Sequence, residues 1–361
     1  MQRRTFILGG TAAIIASSFA TSGCFNSRYE QMLVSTASDL MGNHYVIATT
    51  LDGTLISATN LPERGHDTIE VPNKPHHVLV VARRPDRFAM EIDILSGKVT
   101  HHFNTTAGRH FYGHGCFSPD GNFFFTSEND YVNGKGVIVV RDTQSYRVIT
   151  EFSSGGIGPH DMKVLPNGRQ LAIANGGIQT HPDYQRMKLN IDTMTPNLSI
   201  IDFDSGEVVR RFFPPHNKQS IRHLDVDSAG DIFVGVQWQG SKNEVHPLVY
   251  KQSGNSELKP LIANKLDWQR MHQYTASVVA NNDSLIVTCP RGDCVSIWDT
   301  TTRGLVDISS LKDAAGAVQI DDAFYLSTGH GYIKKSQSNN FQDVAKLAKF
   351  RFDNHMMSMR V

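Results

Sequence analysis

Histidine is the residue type in this chain whose spacing could do chemistry. His66 precedes Asp67-Thr68-Ile69, His114 lies in Tyr112-Gly113-His114-Gly115-Cys116, and His160 lies in Gly158-Pro159-His160-Asp161. His223 sits in Ile221-Arg222-His223-Leu224, His272 two residues before Tyr274, and His355 in Asp353-Asn354-His355-Met356. From His66 to His272 the steps are 48, 46, 63 and 49 residues. Neutral imidazole is the commonest protein metal ligand, and several that converge suit copper, iron or zinc. Cys116 is two residues from His114, so on a strand the two side chains share a face and the thiol could add a soft ligand. The candidate metal set is therefore His66, His114, His160, His223, His355 and Cys116, with His272 a less regular member. The competing reading is that the imidazoles only hydrogen-bond between neighbouring segments. No compact His-Glu-x-x-His pair is present.

Arginines form a second set: Arg64, Arg83, Arg84, Arg109 and Arg222. Arg64 and Arg222 fall beside the histidines and could grip a carboxylate or phosphate by paired hydrogen bonds. A cationic rim opposes a bare cation and favours an anionic ligand, or a metal carried by one, such as a ferric chelate. The structural alternative pairs these arginines with Asp67, Asp161 and Glu128. Glu128-Asn129-Asp130, with Asn175, could supply the oxygen ligands of a calcium-dependent lactonase site, or could be a solvated loop. His76-His77 and His101-His102 are adjacent pairs, which point oppositely on a strand and chelate poorly. Met356, Met357 and Met359 read as core. No nucleophile elbow, P-loop, dinucleotide fingerprint or Cys-x-x-Cys-His is present.

A step of roughly 40–50 residues between strand-rich segments is the signature of a β-propeller. Inner strands of its blades line one channel, so the fold would turn scattered histidines into a ring. The segments repeat a turn followed by a buried strand: Ser118-Pro119-Asp120-Gly121 before Phe123-Phe124-Phe125, Pro166-Asn167-Gly168 before Leu171-Ala172-Ile173, and Ser228-Ala229-Gly230 before Ile232-Phe233-Val234. Asp opens and Gly completes the turn to the outer strand in Asp93-Ile94-Leu95-Ser96-Gly97 and Asp202-Phe203-Asp204-Ser205-Gly206. Inner strands are expected near residues 67, 115, 161, 222, 275 and 316. The seventh blade is split: 356–361 supplies its inner strand, and 45–48 and 54–57 the others. The expected fold is all-β, a seven-bladed propeller over 40–361 with the two ends joined in one blade, which removes free edges. The insertion from Gly176 to Pro196 explains the step of 63 and should lie over one face.

The first 24 residues are read as targeting, outside the fold. Arg3-Arg4-Thr5-Phe6-Ile7-Leu8 resembles a twin-arginine export signal, and the apolar run after it is shorter than the about 20 residues of a membrane span. Thr21-Ser22-Gly23-Cys24 resembles a lipoprotein box, while Ser18-Phe19-Ala20 offers a competing cleavage site. The expected location is the periplasm, with any membrane attachment through a lipid on Cys24. Lys and Arg number 35, as do Asp and Glu. That balance gives no basic stripe for nucleic acid. Cys289 and Cys294 flank a four-residue turn, so they face each other across a hairpin, either as a disulfide or as two buried thiols.

Gly158-Pro159-His160-Asp161, Ala174-Asn175-Gly176-Gly177-Ile178 with His181-Pro182-Asp183, and Ser220-Ile221-Arg222-His223-Leu224, together with the leader, resemble the exported bacterial family called domain of unknown function 1513. The resemblance implies a propeller of the YVTN-repeat or quinoprotein-dehydrogenase kind. It also implies a setting beside imelysin-like and other exported iron-uptake proteins, which would be partners. It carries over no catalytic residues. The function expected first is an exported binding protein of an iron- or copper-handling pathway, its metal held in a histidine-lined channel. The twin-arginine route carries folded proteins, so a cofactor could be loaded before export. The alternatives are a propeller enzyme (a metal-dependent lactonase or dehydrogenase-like protein) and a cofactor-free platform for partner proteins.

Overall fold

The computed structural model describes residues 31–184, 187–337 and 340–360. The twin-arginine stretch, the competing cleavage sites and Cys24 lie outside the described residues. Seven four-stranded antiparallel sheets make the seven blades of a propeller. Their inner strands are Gly65–Glu70, Arg109–Phe117, Pro159–Val164, Gln219–Val226, Val278–Ala280, Ala314–Ile320 and Phe350–Arg360; we number the blades 1 to 7 in that order. Among the described residues no helix is long and apolar enough to cross a membrane.

The sequence pattern explains the layering. Second strands such as His77–Ala82 carry apolar runs, and Val78, Leu79, Val80, Val81 and Ala82 are wholly buried between blades. Outer strands such as Val148–Ser153 are largely exposed. The turn to the outer strand is made as the Asp and Gly residues require. Asp93 accepts from the backbone N–H of Leu95 and the Ser96 hydroxyl, and Gly97 takes φ +70°.

Blade 7 closes the ring with the three expected segments and one further strand. The C-terminal strand Phe350–Arg360 pairs with Gln31–Asp39, which pairs with His44–Thr50 and then Leu55–Leu61. The fold thus begins before residue 40. Gln31–Asp39 carries Ser35, Thr36 and Ser38 among its apolar residues, and this mixture hides it from a search for apolar runs. Blade 5 also starts later than expected, at Val278, because a short helix, Lys265–Arg270, and a turn precede it. Cys289 and Cys294 are directly paired residues across the blade 5 hairpin, and both thiols are free and buried. The Gly176–Pro196 insertion joins the second and third strands of blade 3. It leaves the blade at the same end as His160, since Pro159 pairs with Asn175, and reaches blade 2 through Thr180–Asn129 and blade 4 through Asn217–Asp192.

Candidate metal centre

A local irregularity aims the histidines. In blade 1, Gly65 pairs with Ala82 and Asp67 with Val81, so His66 is left without a partner residue. In blade 3, Pro159 and Asp161 pair with consecutive residues and His160 is skipped. Blade 2 skips from Phe111 to Gly115 and blade 7 from Phe352 to Met356, which frees His114 and His355. These are bulges, which break the alternation of a strand and redirect the extra side chain. Second-strand hydroxyls hold the histidine carbonyls: Ser127 donates to His114 (3.2 Å), Ser35 to His355 (2.5 Å) and, from the neighbouring blade, Thr36 to His66 (3.2 Å). Two glycines make the room. A Cβ on Gly113, which has φ +108°, would stand 2.3 Å from the His66 ring, and one on Gly316 would stand 2.6 Å from the His355 carbonyl carbon. Blades 5 and 6 add no histidine to the group.

Five imidazoles therefore meet in the channel. His114 lies 4.5 Å from His355, 4.8 Å from His66, 5.2 Å from His160 and 5.5 Å from His223, between ring centres. Two triads, His66–His114–His160 and His114–His223–His355, each bring one ring nitrogen per residue within 4.8 Å of the others. His114 belongs to both. His114 Nδ1 is 3.0 Å from Asp67 Oδ2 and 3.4 Å from Asp161 Oδ1, which turns Nε2 away from the carboxylates. Carboxylates behind an imidazole fix its orientation at metal sites. His114 Nε2, His355 Nε2, His160 Nδ1, His223 Nδ1 and both nitrogens of His66 are buried without a hydrogen-bond partner. Buried polar atoms are nearly always paired in native proteins. Six such atoms stand in one place, two of them (His66 Nδ1 and His223 Nδ1) with a carboxylate 3.6 and 4.0 Å away, beyond hydrogen-bond length, and they could hold a metal ion.

Charge follows burial. Burial, then neighbouring imidazoles or Arg222, holds His160 and His223 well below the usual imidazole range. The same holds for His66 despite the opposing pull of Asp353. His355 is pushed down to about 4, by burial and then His114. His114 is the exception: burial lowers it, but Asp161 and Asp67 outweigh that and hold it up. Four of the five thus present neutral lone pairs at neutral pH. Between pH 6.5 and about 4 the unfolded chain takes up protons at those four positions that the folded chain refuses. Stability of the chelator-treated protein should fall across that window, with His355 alone contributing about 3 kcal/mol. His114 works the other way, its contribution being complete below 6.5 and lost as pH rises, but it is one group against four. A urea midpoint at pH 5 equal to that at pH 7 would contradict this account.

The channel has two unlike ends. The inner strands run from the histidines toward a cavity of about 450 Å³, whose lining includes His114, His223 and His355 with Asp67, Asp161 and Asp225. Lys163 stands among these carboxylates; burial lowers it, but Asp225, Asp161 and Asp67 outweigh that and raise it. The opposite mouth is cationic. There Arg83, Arg84 and Pro85 border a cavity of about 360 Å³ together with His110 and Thr180-His181-Pro182 of the insertion.

The structure places the remaining sequence candidates outside the two triads. Cys116 lines the lower cavity but joins neither triad. It packs against the apolar cluster of Phe125 and Met162, and burial pushes its thiol up to about 12. His272 is exposed on a turn beside Trp268, outside the ring. Arg64 and Arg83 both pair with Asp353 (2.6 and 3.3 Å), and Arg109 grips Glu151 with two bonds. The expected acid partners Asp67 and Asp161 instead serve His114. Arg222 alone of the candidate arginines is buried without any hydrogen bond or ion pair among the described residues. Glu128, Asn129 and Asp130 are not a loop but the end of strand Phe123–Asp130, and all three are buried. Glu128 bonds Arg141, Asn129 bonds His110, Asp130 bonds Asn133 and Asn175 bonds Ser154, so these side chains are committed to blade packing. His77 and His101, from the two doublets, both face the buried carboxylate of Glu91 (2.7 and 3.3 Å). Met356 and Met359 are core residues. Sequence reasoning did not find Asp353 or the hydroxyl bracing. The one available signal was an Asp within two residues of His66, His160, His223 and His355.

Comparison with known proteins agrees with the fold. A Kuenenia stuttgartiensis hydrazine synthase structure superposes with a TM-score of 0.61 at 14% identity, over 85% of this chain and 93% of that one. At that identity the likeness concerns the fold. No curated protein sequence matches. The family described as "Protein of unknown function (DUF1513)" matches residues 59–359, from the last strand of blade 7 to the C-terminal strand that closes the ring. Six of the seven blades and every histidine of the ring fall inside that span, and the chain belongs to this family.

Proposed function

We propose that this protein binds a first-row transition metal, copper or iron, through the histidine cluster in its channel. The observation that carries the reading is the group of buried, unpaired and mostly neutral imidazole nitrogens brought within 4.8 Å in two triads. A nitrogen-only donor set suits copper, iron or zinc and does not suit calcium or magnesium, which take oxygens. The acidic lower channel would draw a cation toward His114, His223 and His355. The leader's resemblance to a twin-arginine signal supports a periplasmic site of action, with metal loaded before export and attachment through a lipid on Cys24 as a variant. Imelysin-like or other exported iron-uptake proteins are the proposed partners.

The test starts from natively purified protein and elemental analysis, followed by copper(II) titration of the chelated form. Replacing His160 and His223 together with alanine takes one ligand from each triad and should abolish stoichiometric binding. The circular dichroism spectrum should be unchanged, because the strands on either side of both positions are held by backbone ladders that alanine retains. A double variant that binds as the wild type does would reduce the cluster to a packing device.

A further inference from the structure

Arg222 is a buried cation without an ion-pair partner among the described residues. Its exposure is 8%, its Nε has no partner, and it forms no ion pair with any described residue. It is also the bulge residue of blade 4: Ile221 pairs with Val236 and His223 with Gly235, which leaves Arg222 in the position that His66 and His160 hold in their own blades. The guanidinium passes against Gly176 at the root of the insertion, where an added Cβ would meet Cζ at 3.4 Å. Tyr112, skipped by the blade 2 bulge and 2% exposed, has a buried hydroxyl that faces Thr180 without reaching hydrogen-bond geometry. Its ring lies 6.5 Å from that of His160. A buried guanidinium without a counter-ion is costly, and a protein keeps one where an anion completes it. Asp353, the acid beside His66, is already held by Arg64 and Arg83.

We infer that the arginine-rimmed mouth is a binding site for a small oxyanion, a carboxylate or phosphate, received by Arg222 and the Tyr112 hydroxyl next to the histidines. The bound anion would face the upper triad, His66–His114–His160. The site would then take a cation from the acidic end and an anion from the basic end, which is the arrangement for a metal with an anionic co-ligand. This step rests on the metal reading for its purpose but not for its test.

Sodium phosphate and sodium acetate are titrated separately into chelated, metal-free full-length protein in a calorimeter. Saturable one-to-one binding of at least one of them is expected, and which one binds identifies the anion. Arg222→Met should weaken that binding more than tenfold and Tyr112→Phe severalfold. A second measurement covers the case of a misfolded variant: without anion, Arg222→Met should melt at or above the wild-type temperature, since it removes an uncompensated charge. Added anion should raise the melting temperature of the wild type only. Absence of saturable binding of both probes to the wild type would overturn the inference. So would an Arg222→Met protein that binds as tightly as the wild type. A wild type that binds the anion but no copper would sink the metal reading and leave this one standing.

Discussion

His114→Ala should cost more metal affinity than any other single change, more than about 100-fold for copper(II), measured by competition with a chelator of known affinity. His114 is the only residue shared by both triads, so its loss leaves two pairs of imidazoles and no triad. The substitution should not unfold the blade, because the bond that seats the bulge runs from the Ser127 hydroxyl to the His114 carbonyl, which alanine retains. Asp67→Asn should act through the same ring more mildly. The carboxylate 3.0 Å from Nδ1 both orients the imidazole and raises its basicity, and loss of such a partner costs about 10–100-fold in affinity. Copper binding should also strengthen as pH rises, since His114 must release a proton before Nε2 and Nδ1 can serve a metal and a carboxylate together. A His114→Ala protein that binds copper as the wild type does would show that the rings meet for packing alone.

Arg141→Met should be the most destabilising change away from the channel, by about 3–5 kcal/mol in a urea titration. Arg141 and Glu128 are 2% and 0% exposed and joined at 2.7 Å. The guanidinium also donates to the Tyr146 carbonyl and lies over the Phe103 ring. Removing it leaves a carboxyl with one oxygen, Oε2, already unpaired and now without its cation. Burial raises the Glu128 carboxyl and Arg141 pulls it back, so the single variant buries either an unpaired charge or a proton taken from solvent. Changing both residues, Arg141→Met with Glu128→Leu, should recover most of the loss, because the desolvation cost disappears with the pair. A double variant as unstable as the single one would show that the shape of this layer, rather than its charge, holds blade 2.

The blade period, the number of blades, the union of the two chain ends and five of the channel histidines were all legible in the sequence. Their common basis is local: turn residues and apolar runs mark strand boundaries, and a fold that repeats a unit around an axis brings equivalent positions together. What the chain order could not express is which side chains of the inner strands face the channel. Alternation predicts that His114 and Cys116 share a face. The bulge between Phe111 and Gly115 breaks that register, and Cys116 falls to the lower wall. The same device exchanges places in blade 4, where Arg222 takes the bulge and His223 the paired position beside it. His272 keeps the spacing of the repeat but lies on an exposed turn after a helix that postpones its strand to Val278. Acid partners were decided by three-dimensional proximity: Asp353 is 289 residues from Arg64 in sequence and 2.6 Å away in space. Periodicity is a property of neighbours along the chain, and it fixed the ring; ligand geometry depends on bulge register and on charges that meet only when the ring is closed, and only the tertiary structure decided those.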